Sequence, residues 1–182
     1  SQLIQKKLTV TKDSTLPENT TFTVNVTPVT PEEQPAENSA SAAIIGTTTS
    51  EWTGGIEEEG NTTYTVPFTF TNGTLSLPAG TYTYTVQETK GDVSGMQYDS
   101  NTYTLTIKVE NSKATVKYTT GKGTTSTEVS TTKPLTIKNT YQTPDLSVTK
   151  QTVSVAGNNV DSNTVARVGD KIIWSVTVTN KN

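Results

Sequence analysis

The chain has no cysteine and no histidine. The first absence excludes a disulfide framework, a thioester and any thiol nucleophile; the second removes histidine-based triads and the usual zinc sites. Charge is also scarce. Charged residues make up 17% of the 182, and the formal net charge of -3 offers no basic field to nucleic acid or anionic lipid. No polybasic stretch and no apolar run near the length of a membrane span occurs, so neither nucleic-acid binding nor membrane contact is expected of this segment. No cofactor is implied.

Apolar residues are few as well, at 30%, and threonine takes their place. Threonine is β-branched, so it stiffens strands while keeping their outer faces wet. Alternation marks the strands: residues 3–12, then Thr21 to Val26, then Tyr64, Val66, Phe68 and Phe70, with Pro67 suggesting an edge or bulge. Asn72-Gly73 reads as a turn, followed by Leu75 and Leu77. Further strands run from Thr81 to Glu88, Tyr103 to Val109, Ala114 to Tyr118 and Leu135 to Tyr141, while Gly121 to Thr132 reads as flexible. Between Thr27 and Thr63 the pattern is weak, and either a short strand near Ile44 or a flap held by Trp52 is expected. With no helical period of useful length, these strands predict an all-β, immunoglobulin-like two-sheet sandwich over residues 1–143.

At Pro144 the pattern restarts. Asp145-Leu-Ser-Val-Thr-Lys150 repeats Leu8-Thr-Val-Thr-Lys12, and Ile172, Trp174, Val176 and Val178 make one further strand. Residues 144–182 are therefore read as the truncated opening of a second, similar domain. A few strands cannot bury a core alone. The whole is expected to be a piece of a longer exported chain, with its signal peptide and anchor outside these residues.

Three inward positions are out of place in an apolar row. Lys12 shares a face with Leu8 and Val10, Glu88 with Tyr82, Tyr84 and Val86, and Asn139 with Leu135, Ile137 and Tyr141. If the three meet, a desolvated Lys12 becomes a nucleophilic amine and a protonated Glu88 polarises the Asn139 carbonyl. Loss of ammonia would leave an amide between Lys12 and Asn139, with folding supplying the proximity. Alternation alone also allows a snorkelling lysine, an ordinary ion pair at Glu88 and a turn residue at Asn139.

Leu8-Thr-Val-Thr-Lys12 with Thr21-Phe-Thr-Val, then Gly80-Thr-Tyr-Thr-Tyr-Thr-Val-Gln-Glu88, Tyr98-Asp-Ser-Asn-Thr-Tyr-Thr-Leu and Ile137-Lys-Asn139-Thr-Tyr141 together resemble the backbone-pilin domains of Gram-positive bacteria and the related B-type domains of collagen adhesins. The likeness is strongest to the N-terminal domains of streptococcal major pilins. It implies a Lys12–Asn139 isopeptide bond made with the help of Glu88, in a single turnover and not as an enzyme. It further implies a pilus shaft or stalk module on the cell-wall-anchored surface, neighbouring pilin domains as partners, and sortase as a partner of the full-length protein. Lys133 lies near where the streptococcal relatives carry their polymerising lysine, with the register off by about a residue. Lys150 resembles the bond lysine of a second domain.

An adhesin module is the other reading, gripping host protein or glycan through residues 27–63 with Trp52 as its contact. One tryptophan is thin for a sugar platform, and as a lid over the sandwich edge it would serve packing instead. A hydrolase is not supported, and no spacing favours calcium at Asp92, Asp99 or Asp170.

Overall fold

A computed structural model of the chain describes residues 2–29, 43–71 and 76–180. The Asn72-Gly73 turn and Leu75 lie outside the described residues. The chain divides into two compact units, Ser1–Thr143 and Pro144–Asn182.

The first unit is a sandwich of two sheets. One sheet holds β1 (Ile4–Val10), β4 (Ile56–Glu58), β5 (Asn61–Pro67), β8 (Met96–Gln97) and β12 (Leu135–Tyr141), in the order β4-β5-β1-β12-β8. The other holds β2 (Thr23–Pro28), β3 (Ile44–Thr47), β6 (Thr69–Phe70), β7 (Gly80–Glu88), β9 (Thr102–Glu110), β10 (Lys113–Thr120) and β11 (Thr127–Val129), in the order β11-β10-β9-β7-β2-β3-β6. Alternation turns Ile4, Leu8 and Val10 of β1, Leu135 and Ile137 of β12, Val24 and Val26 of β2, and Tyr82, Tyr84 and Val86 of β7 into one core. Each such side chain, fully buried, contributes about 1.5–3 kcal/mol.

The pairing of β1 with β12 is parallel, whereas the other described pairings of this unit are antiparallel. The first and last strands of the unit thus lie side by side in the middle of one sheet. A parallel pair cannot be closed by a hairpin, so nearly the whole unit forms the connection between them.

Two details differ from the sequence expectation. The row Tyr64-Val66-Phe68-Phe70 is not one strand: β5 pairs with β1, β6 pairs with β3, and the chain changes sheets at the fully buried Phe68. Pro67, which has no N–H to donate, stands where the first ladder stops. Within Gly121 to Thr132, β11 pairs with β10 through Val116 and Val129 and closes an edge of the second sheet. Residues 43–60 supply both the short strand β3 and a packed Trp52, whose indole N–H donates to the Thr20 carbonyl at 2.8 Å.

The second unit has β13 (Leu146–Val155), β14 (Asn158–Asn159) and β15 (Ile172–Asn180), in the order β14-β13-β15. Of its described residues only Val155 is buried; Leu146, Val148, Trp174, Val176 and Val178 are exposed. Three strands form a ladder here without enclosing a core.

Candidate functional site

The lysine that enters the core is Lys6, and not Lys12. Lys6 lies in mid-strand on the same face as Ile4, Leu8 and Val10 and is completely buried. Its ammonium nitrogen donates to Glu88 Oε1 and stands 4.4 Å from the centroid of the Phe22 ring. Lys12 has the right parity but lies past the end of the strand. The Thr11 N–H still bonds the Tyr141 carbonyl; then the chain turns through Asp13, at φ 60°, and Lys12 is exposed. Its backbone N–H bonds Asn61 Oδ1 at 3.0 Å.

Register gives the reason. Lys6 pairs with Ile137 and Leu8 with Asn139, so Lys6 is one same-face step, about 7 Å, from Asn139 along the strand. Continuing that register would put Lys12 about 13 Å beyond Asn139 on the other side, out of reach. Lys6 was legible as a candidate: it shares the face of Leu8 and has an apolar neighbour in both directions, where Lys12 has one only on its N-terminal side.

Glu88 ends β7, and Asn139 lies within β12; both are buried. Asn139 Nδ2 donates to Glu88 Oε1 at 3.2 Å, so the one carboxylate oxygen receives both the lysine and the amide. The other carboxylate oxygen, Oε2, accepts the Asp99 backbone N–H at 3.0 Å, and the same N–H donates to Asn139 Oδ1 at 2.8 Å.

Burial acts on both ionisable partners in the direction that neutralises them. Desolvation lowers the Lys6 ammonium from 10.5 to about 8, against the opposing pull of Glu88 and Asp99. It raises the Glu88 carboxyl, although Lys6, the Asp99 N–H and Asn139 all favour the ionised form. An ion pair that can pass one proton to become amine and carboxylic acid is therefore held against a primary amide. That set can carry out acyl transfer from the amide to the amine.

The other sequence candidates lie apart from this cluster. Lys133 is exposed in the tight loop before β12, where its backbone exchanges hydrogen bonds with Ser130. Lys150 is exposed on β13, its ammonium 4.2 Å from the Trp174 ring centroid. Trp52 meets Phe22 and Tyr64 edge-on, at 5.6 and 5.9 Å between centroids, and serves as a lid at the edge of the core. Among the described residues no group of His, Cys, Asp or Glu is placed to hold a metal ion. Strand alternation does not point to Asp99 as part of the site; its signals in the sequence are the Asx-turn pattern Asp99-Ser-Asn101 and its place in the Tyr98-Asp-Ser-Asn motif.

A protein-family profile described as "FctA: Spy0128-like isopeptide containing domain" matches residues 3–142. Among solved structures, the major pilin protein T-13 of Streptococcus pyogenes is similar at 17% identity and a TM-score of 0.42, covering 98% of this chain and 81% of that one. No curated protein sequence matches.

Proposed function

Because the chain belongs to the family of Spy0128-like isopeptide-containing domains, a structural family and not one of enzymes, we propose that it is a self-crosslinked module of a pilus shaft or surface stalk. The bond we assign joins Lys6 to Asn139. The Lys6 amine attacks Cγ of Asn139, a C–N bond forms, and the bond from Cγ to Nδ2 breaks. A lysine proton passes through Glu88 to Nδ2, which leaves as ammonia, and Glu88 regains its starting state. No cofactor or oxidant enters the balance.

One observation carries this reading: an amine, a carboxyl group and a primary amide converge in a dry core between the first and last strands. Left unreacted, the buried pair is a poor source of stability, since desolvation offsets most of its attraction. Converted to an amide, it closes a ring around nearly the whole unit. By analogy with a disulfide of that loop length it stabilises by roughly 5 kcal/mol through the unfolded chain. Unlike a disulfide, it is indifferent to reductants.

A shaft outside the cell, built of neighbouring copies and attached to the wall of a Gram-positive bacterium, is the setting in which these properties serve. Exposed Lys133, just ahead of β12, is the proposed attachment point for a sortase-made link. Residues 144–182 are proposed to open a second such domain, with Lys150, exposed beside Trp174 of the neighbouring strand, as its candidate bond lysine. Trp52 is spent on packing, which favours the shaft over an adhesive surface at residues 27–63.

Intact mass under denaturing conditions tests the bond. The parent and Lys12→Ala chains are expected to be lighter than their sequences by one ammonia, and Lys6→Ala to have its full mass. Full mass in the parent would sink the proposal; a crosslink lost only in Lys12→Ala would reassign the lysine.

A further inference from the structure

Asp99 is buried, charged and outside the three-residue chemistry. It follows β8, where the edge strand paired with β12 through Gln97 and Thr140 gives out. From there its carboxylate does what a strand would have done. Oδ2 accepts the Lys138 backbone N–H at 3.0 Å and the Tyr103 hydroxyl at 2.7 Å, and Oδ1 accepts the Asn101 backbone and side-chain N–H groups at 2.9 and 2.8 Å. Four donors from a loop and two strands fix this carboxylate, and with it the peptide plane between Tyr98 and Asp99. Those hydrogen bonds outweigh the burial that would raise its pKa, so the carboxyl is held below the ordinary aspartate value and stays ionised.

That peptide plane points its N–H into the cluster, at Asn139 Oδ1 and Glu88 Oε2. We propose that the Asp99 backbone N–H is the oxyanion donor of the crosslinking reaction and that the Asp99 side chain is the positioning residue that aims it. The inference rests on the Lys6–Asn139 bond proposed above. When Lys6 adds to Cγ, the carbonyl π pair moves onto Oδ1, and the charge develops on the atom this N–H already contacts at 2.8 Å. As the tetrahedral centre collapses, that pair returns to the carbon and Nδ2 departs with its third proton. The N–H is shared with Glu88 in the resting site; a protonated Glu88 is the weaker acceptor, so the donor is released toward Oδ1 in the reactive proton arrangement. Bound by its own carboxylate to Lys138, the residue adjacent to Asn139, the donor keeps its aim relative to the reacting amide. A fixed donor of this kind costs no reorganisation at the moment of reaction.

The test is a time course of ammonia loss, by intact mass, after cell-free synthesis and a quench in denaturant. The probes are the parent, Asp99→Asn, Tyr103→Phe, Lys6→Ala, and a chain with an ester in place of the Tyr98–Asp99 amide. Rates are normalised to the folded fraction seen by circular dichroism and by fluorescence in a Trp174→Phe background, which leaves Trp52 as the reporter. Asp99→Asn, which replaces an acceptor oxygen by a donor nitrogen, is expected to react about tenfold more slowly once folded. The ester, which removes only the N–H, is expected to slow the reaction on the order of 100-fold. A folded ester chain that crosslinks at the parent rate overturns the inference, because a carboxylate that merely braces the loop predicts that result. If Asp99→Asn does not fold, Tyr103→Phe decides for the side chain: a slowed reaction supports positioning, and an unchanged rate overturns it. A parent that retains its ammonia overturns the crosslink itself, and this inference with it.

Discussion

Lys6 and Asn139 lie on neighbouring parallel strands, two residues out of register, Lys6 facing Ile137 and Asn139 facing Leu8. An offset of one same-face step suits a long lysine chain reaching along its own strand to a short amide on the next. Glu88, arriving from the opposite sheet, closes the third side. The geometry therefore depends on three strands from both layers, and it exists only when the sandwich is assembled.

Asn139→Ala leaves the Lys6–Glu88 pair in place but has no amide to react. It is expected to lose roughly 5 kcal/mol relative to the parent. Its melting temperature should fall by roughly 15–20 °C for a unit of this size. Scanning calorimetry checks this, and a midpoint within a few degrees of the parent would contradict a covalent ring.

In that uncrosslinked variant, stability should depend on pH through Lys6. Its folded pKa is lowered to about 8, against 10.5 in the unfolded chain. Below about pH 8 both states carry the proton and the burial penalty is felt in full. Between about 8 and 10.5 the unfolded state binds more protons, so stability rises with pH across that window. Denaturant midpoints measured through it should climb, and should not climb when Lys6→Met is added. The parent should lack this rise, since its Lys6 no longer titrates.

The Tyr84 hydroxyl is buried and has no hydrogen-bond partner among the described residues. Desolvation accordingly raises its pKa. Tyr84→Phe removes an orphaned polar group from the core while preserving the ring, so it is expected to be neutral or to stabilise by about 1 kcal/mol. A loss of stability in urea titration would mean that the hydroxyl has a partner.

Lys12→Ala should change stability by no more than about 0.5 kcal/mol, as is usual for an exposed position. Lys6→Ala should cost at least about ten times that, because the ring alone is worth roughly 5 kcal/mol. It forfeits the ring and leaves Glu88 without its buried partner. Thermal midpoints of the two variants, measured side by side, separate the two lysines independently of mass.

The sandwich was legible because its strands alternate cleanly, as Tyr82-Tyr84-Val86 and Leu135-Ile137 do. Glu88 and Asn139 stood out as polar residues in apolar rows. The lysine was harder, since Lys6 and Lys12 share a parity; the apolar neighbours on both sides of Lys6 favour it, and the parallel register with β12 decides which one reaches the amide. Periodicity gives the face of a residue but not its height along the strand. The break at Phe68 escaped for a related reason, because period 2 continues across a change of sheet. Asp99 was harder to place, since the N–H it turns toward the amide belongs to the backbone, which every residue type shares, and its side chain signals only a turn.

The parallel pairing of β1 and β12 has one more consequence. If the proposed bond joins Lys6 to Asn139, tension entering near the start of β1 crosses at once to β12 and leaves by its end. Everything from Lys7 to Lys138 then hangs beside the taut path as a side loop that is never stretched. Loops, edge strands and surface residues in that stretch are released from any requirement for mechanical strength, and are answerable only to folding once. Under the proposed bond, such a module can change its outer surface freely without becoming easier to pull apart.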